Sequence, residues 1–243
     1  MAQETPNPLP FAETTHTTLA AATEARQLLA NQLLPELARP ITSFSYNPWI
    51  AKRRDDKQEY EAEAMVWAGL HDYSTAALYL YTEPMPTGLK MFTPKRIIFQ
   101  TRAADQGWAT FGGDGTFENS HTWFDTSILR PLDTCNNGAL EANLRCRLWD
   151  ATCARDEIKA HGWEFVEGED GQIKWRVCNN LTASSEFRNY RVEWERGVVA
   201  EDVDEMAVGT GEGFLELLGP GCIVVLWARA EVGFPVSLSV RVY

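Results

Sequence analysis

The run Cys222-Ile-Val-Val-Leu-Trp-Ala-Arg-Ala230 carries a single charge, Arg229, in an otherwise apolar stretch. A short, continuous apolar run rich in β-branched residues suits a strand buried on both faces. It is therefore expected at the centre of a sheet. In extended backbone alternate side chains share a face, which puts Ile223, Val225, Trp227 and Arg229 together. If that face is interior, the guanidinium needs a partner, because an unpaired buried charge is very costly. Glu186, Glu193 and Asp125 are the candidates.

Short strands recur on either side of this run. Ser237 to Tyr243 closes the chain as one. Asn189-Tyr-Arg-Val-Glu-Trp194 alternates, with Tyr190, Val192 and Trp194 on one face and Arg191, Glu193 and Glu195 on the other. Ile41-Thr-Ser-Phe-Ser-Tyr46, Ala76-Ala-Leu-Tyr-Leu-Tyr81 and Arg96-Ile-Ile-Phe-Gln-Thr101 read the same way, while Tyr60 to Trp67 fits helix and strand equally. Gly162-Trp-Glu-Phe-Val166 and Lys174-Trp-Arg-Val-Cys178 flank Glu169-Asp170-Gly171, the signature of a hairpin. Two segments have helical spacing. Thr17 to Leu37 repeats Leu19, Ala22, Leu28, Leu29, Leu33 and Leu37, with Thr15 or Thr17 as cap and Pro40 beyond its end. Ala139 to His161 fits one helix or two short ones, stopped by Gly162. The pattern is mainly β: a β-sandwich or jelly roll with an N-terminal helix and a short helical insertion. Residues 1–13 read as a flexible lead-in and residues 14–243 as a single domain.

A chain of 243 residues is long enough for a sizeable core, and its net charge of −12 speaks against nucleic acid or an anionic membrane surface as partner. The basic run Lys52-Arg53-Arg54 is followed at once by Asp55 and Asp56 and reads as a solvated turn. The N-terminus lacks the basic start and apolar run of a signal peptide, and no segment has the length of a membrane span. The five cysteines are odd in number and lack CxxC spacing, which fits free thiols in a reducing cytosol better than disulfides or zinc. Four scattered histidines do not suggest a histidine-rich metal site. Gly209 to Gly213 lacks the Lys-Ser/Thr of a phosphate loop. No cofactor is expected.

One segment stands apart. From Arg102-Ala-Ala-Asp105-Gln106-Gly107-Trp108 to Ser120-His121-Thr122-Trp123-Phe124-Asp125, aromatic residues are interleaved with Gly107, Gly112, Gly113 and Gly115. Read as one long loop, its rings must pack on a core or meet a ligand, because leaving them in water is unfavourable.

Three pieces carry a resemblance: Arg102 to Trp108 with Thr122-Trp123-Phe124; Trp175-Arg-Val-Cys-Asn179 on to Phe187 and Val192-Glu-Trp194; and Gly211-Glu-Gly-Phe214 through Leu218-Gly-Pro-Gly221 to Trp227-Ala-Arg-Ala230. Together they resemble a domain common in uncharacterised fungal proteins, some of which also carry F-box or ankyrin regions. That family is similar in broad architecture to galactose-binding-type jelly rolls, which implies a concave face or loop rim able to take a glycan. This chain departs from the pattern after Ala230, where Glu231-Val-Gly-Phe-Pro235 replaces a Pro-Gly-Trp loop and puts the ligand specificity in doubt.

The candidate ligand residues follow from these readings. Asp105 and Gln106 offer a carboxylate and an amide to sugar hydroxyls, although both equally suit a strand-end turn, and Trp108 is expected to plug the core. His121 suits acid–base work but has no Ser or Cys nucleophile motif beside it. Trp123, Trp175, Trp227 and Arg229 complete an aromatic site, with Glu186 on a polar loop between strands. Two functions from different classes fit: a cytosolic module binding a glycan or small organic molecule, and a cofactor-independent cyclase or pericyclase of fungal secondary metabolism, whose chemistry needs only a shaped pocket. A protein-interaction scaffold is the third, and self-association is left open.

Overall fold

Pro35 divides what the leucine spacing presents as one helix. Leu19–Gln32 forms α1, whose start is capped by Thr18, with its side chain accepting from the Ala21 N–H at 3.2 Å. Leu33 turns to extended backbone, and Pro35–Ser45 forms α2. Proline disfavours helical backbone in the residue before it and suits the first position of a new helix. Ile41 to Ser45, expected as a strand, belongs to α2, Pro40 included. The buried pair Ala38 and Thr42 shows the true period, four residues and not two, with Thr42 Oγ1 donating to the Ala38 carbonyl at 2.9 Å.

The computed structural model describes residues 17–45, 48–54, 58–62, 74–87, 93–109, 111–132, 140, 144–146, 151–198, 204–231 and 238–242. Thr15, Tyr46, Cys135 and most of 139–150 lie outside them. The chain divides into two units, Met1–Lys52, which holds both helices above, and Arg53–Tyr243.

The second unit is built from strands in antiparallel sheets. In chain order these are β1 (Gln58–Ala62), β2 (Ser74–Tyr81), β3 (Arg96–Ala104), β4 (Thr122–Pro131), β5 (Arg145–Cys146), β6 (Trp163–Phe165), β7 (Trp175–Asn179), β8 (Arg188–Glu195), β9 (Ile223–Glu231) and β10 (Leu238–Val242). One sheet has the order β1-β10-β3-β8; the other runs β5-β2-β9-β4-β6, with β7 also on β4. The helices of this unit are α3 (Ala151–Ala160) and the single turn α4 (Phe214–Leu217). Among the described residues no helix is long and apolar enough to cross a membrane.

β9 is central, flanked by β2 and β4, and every residue but its last is buried. Its two faces meet different surroundings. Ile223, Val225 and Trp227, with Leu129, Ala76 and Leu78, pack on Ala154 and Ile158 of α3. On the opposite side a chain of edge-to-face rings links β3 and β8 to β7: Phe99–Trp194 at 5.1 Å, Trp194–Phe214 at 5.3 Å and Phe214–Trp175 at 5.2 Å. The indole N–H groups of Trp175 and Trp194 donate to the carbonyls of Glu212 and Gly209.

Three further expectations are corrected. The segment from Arg102 to Asp125 is not one loop: Arg102–Ala104 finishes β3 and Thr122–Asp125 begins β4. The hairpin around Glu169-Asp170-Gly171 is not formed; β6 and β7 both pair with β4, β6 opposite Leu129–Pro131 and β7 opposite Trp123–Thr126. They lie end to end along one long partner, and Glu169–Gly171 is a 3₁₀ turn between them, closed by the Gly168 N–H on the Gln172 carbonyl at 2.7 Å. Arg54, read as solvated, donates to the Tyr79 carbonyl at 2.7 Å and lies over that residue's ring.

Candidate functional site

Antiparallel pairing sets Trp123 opposite Arg229 and Asp125 opposite Trp227. Residues two apart share a face, so His121, Trp123, Asp125 and Ser127 line up beside Glu231, Arg229, Trp227 and Val225. The face that is apolar over α3 therefore turns polar toward the start of β4. On β7 the register slips between Phe124 and Asp125, so that Asp125 faces Arg176 and Val177 is the extra residue. This bulge re-aims a side chain: without it Val177, not Arg176, would stand opposite Asp125.

The Asp125 carboxylate accepts two hydrogen bonds and forms an ion pair. The Trp123 indole N–H donates to Oδ2 at 3.0 Å, Arg176 Nε donates to Oδ1 at 3.0 Å, and Arg229 Nη1 forms an ion pair with Oδ2 at 3.2 Å. Of the three partners considered for Arg229, the structure selects Asp125. Glu193 instead binds Arg96 and Arg191, and Glu186 is exposed. Arg229 is fully buried and also donates to Ser74 Oγ. Arg176 donates to Asn179 Oδ1 as well, and Asn179 Nδ2 in turn holds the Met206 carbonyl at 2.7 Å. Both guanidiniums lie against the Trp123 ring, Arg176 at 4.6 Å and Arg229 at 5.3 Å from its centroid, within the range of cation–π attraction. Trp227 is fully buried and donates its indole N–H to Ser127 Oγ at 3.1 Å.

Next along the face, His121 Nδ1 lies 3.2 Å from Glu231 Oε2, and its buried Nε2 has no hydrogen-bond partner among the described residues. The hydrogen bond to Glu231 raises the imidazole pKa above its ordinary 6.5, burial opposes this, and the charges of Glu231 and Asp105 add to the rise. Phe111, 72% exposed, stands 6.3 Å from the His121 ring.

The remaining candidates have separate places. Asp105 is a buried clamp: Thr122 Oγ1 donates to its Oδ1 at 2.7 Å and the Ala183 N–H to its Oδ2 at 2.8 Å. Gln106 Nε2 donates to the Trp108 carbonyl at 2.7 Å. Trp108 does not plug the core but is 38% exposed. Trp175 is a core ring in contact with Phe214 and is not a rim residue. The structure thus brings His121, Trp123, Trp227 and Arg229 onto one face and leaves Trp175 and Glu186 off it. Sequence reasoning missed Arg176, Asn179, Ser74, Glu231 and Phe111 as members of the site. The bulge that recruits Arg176 has no signature in the sequence.

Cys178 lies between the sheets, near Thr101 Oγ1, and burial pushes its thiol up to about 12. Cys146, Cys178 and Cys222 are free thiols. Among the described residues no group of three or more His, Cys, Asp or Glu is placed to hold a metal ion. The side-chain nitrogen of Asn180, in the triplet Asn180-Leu181-Thr182, donates to Thr122 Oγ1 and is buried. No protein-family model matches the chain, and no curated protein matches it in sequence.

Proposed function

We propose that this chain is a cytosolic ligand-binding β-sandwich of the jelly-roll kind, as its resemblance to the fungal domain family implies. It holds a glycan or other small organic molecule at the polar end of the β4–β9 face. The observation that carries the reading is the half-exposed Arg176 over the Trp123 indole, in line with His121 and the exposed Phe111 ring. The Phe111 ring offers an exposed flat face beside oriented polar groups, which suits a sugar because it presents C–H faces and hydroxyls together. Binding, without chemistry, accounts for a site whose polar groups are fixed by one another. The cyclase reading has less support, because the indole N–H groups of Trp123 and Trp227 are already taken by Asp125 and Ser127.

The experiment is a glycan array followed by nitrogen-15 NMR titration of the leading ligands. The expected result is a shift of the Trp123 indole signal and at least a tenfold loss of affinity in Phe111→Ala, whose exposed ring leaves the fold intact. Silence of the array together with an unmoved Trp123 signal for small polar organic molecules overturns the reading.

A further inference from the structure

Of the two guanidiniums on Trp123, only that of Arg176 reaches solvent: its side chain is 39% exposed, whereas that of Arg229 is fully buried. Arg176 is held by groups that are themselves buried. Nε is engaged by Asp125, Nη1 by Asn179, and the guanidinium lies 4.6 Å from the centre of the Trp123 ring. Among the described residues Nη2 donates to no protein group. An arginine side chain normally loses much conformational freedom when it grips a ligand, and here that loss is already borne by the fold. A purely structural role for Asp125 is met by Arg229 and Trp123 alone; the Nη2 group of the partly exposed Arg176 takes no part in it.

We infer that Arg176 anchors an oxyanion, a carboxylate or phosphate group carried by the ligand of this face. Nη2, with the second hydrogen of Nη1, presents planar donors that suit either group. The inference rests on the reading of the polar face as a ligand site and adds the chemical class of what binds there.

The test uses the full chain labelled with nitrogen-15, following the Arg176 Nε–Hε and Trp123 indole signals. The probes are glucuronate, glucose 6-phosphate, methyl glucuronate ester, glucose, acetate and inorganic phosphate. Glucuronate or glucose 6-phosphate is expected to move both signals and to bind at least tenfold more tightly than glucose or the ester; the one that binds better assigns the oxyanion as carboxylate or phosphate. Arg176→Gln is expected to lose this tenfold preference, and Arg176→Lys, which keeps the charge but not the fork, to lose most of it. Spectra of the unaltered protein answer the question even if a variant fails to fold. If glucose and the ester shift Phe111 and Trp123 as tightly as the anions do, the site reading stands and the oxyanion anchor falls. If acetate or phosphate moves the Arg176 signal while every sugar is silent, the anchor stands and the glycan reading falls. Anion affinity unchanged in a folded Arg176→Gln, or no movement of the Arg176 signal with any anion, overturns the inference.

Discussion

Asp125 is the residue on which the polar face turns. Its carboxylate compensates a guanidinium that has no access to water, so Asp125→Ala breaks an ion pair inside the protein. Breaking one partner of a buried ion pair costs about 3–5 kcal/mol, and urea unfolding should show a loss of that size, far above the effect of removing Glu193, whose pairs with Arg96 and Arg191 lie at the surface. His121 gives a pH-dependent counterpart. Glu231 and Asp105 are the charged groups that act on it, and the hydrogen bond to Glu231 raises its folded-state pKa above 6.5. A raised folded pKa means the folded state binds the proton more tightly. The stabilisation is therefore complete below the unfolded value and fades as pH rises through the folded one. The difference in melting temperature between the native protein and His121→Asn should be larger at pH 5.5 than at pH 8.5; a difference that is flat or grows with pH contradicts the assignment. That Arg229 needed a buried partner was legible in the sequence from its place in an apolar run. Which acid supplies it was not, because Arg229 lies 104 positions after Asp125 and only the register of β4 on β9 brings them together.

Among the elements, period was the readable quantity and partnership the hidden one. The alternation of β8 and the apolar run of β9 reflect local burial, so both were visible along the chain. The relation of β6 to β7 depends on a third strand distant in sequence, and a local turn signal at Glu169-Asp170-Gly171 mimics a hairpin that the long β4 makes unnecessary. Ile41 to Ser45 misled for a different reason: a stretch this short fits two periods, and the buried side of α2 settles which one applies. The outer edge of β7, which carries Arg176, is sealed by a strap of backbone from Ala207 to Gly209. The Asn179 N–H donates to the Ala207 carbonyl at 2.8 Å and the Gly209 N–H to the Val177 carbonyl at 3.2 Å. A Cβ on Gly209 would stand 2.0 Å from the Arg176 carbonyl oxygen, a contact that only backbone movement can relieve. Gly209→Ala should therefore destabilise the protein by about 1–3 kcal/mol, the usual range for overpacking. It should also shift the Arg176 and Asn179 amide signals more than those of α3. Gly209→Ala with unchanged thermal stability would mean that the strap does not press on β7.

At the scale of the whole molecule, the division of the chain places all ten strands within Arg53–Tyr243 and both α1 and α2 within Met1–Lys52. Each sheet ladder joins two segments of the larger unit, and so does each contact of the polar face, from Ser74 to Glu231. Exposed large apolar side chains occur in both units, Leu28, Leu33, Leu34, Leu37 and Ile41 in the smaller and Trp108, Phe111, Val198 and Met206 in the larger, whereas β9 buries nearly every side chain it carries. Burial of apolar surface is the main favourable term in folding, and the core clusters identified here draw on residues after Lys52. The fragment 53–243 should therefore fold by itself, with a β-type circular dichroism spectrum and one cooperative unfolding transition. Its ligand affinities should match those of the full chain within about twofold, because it contains Phe111, His121, Trp123, Arg176 and Arg229. It should also aggregate less, having shed five exposed aliphatic side chains. A fragment that unfolds without cooperativity would show that residues before Arg53 are needed to complete a sheet or a core; one that folds but loses the ligand would move part of the site into the helical unit.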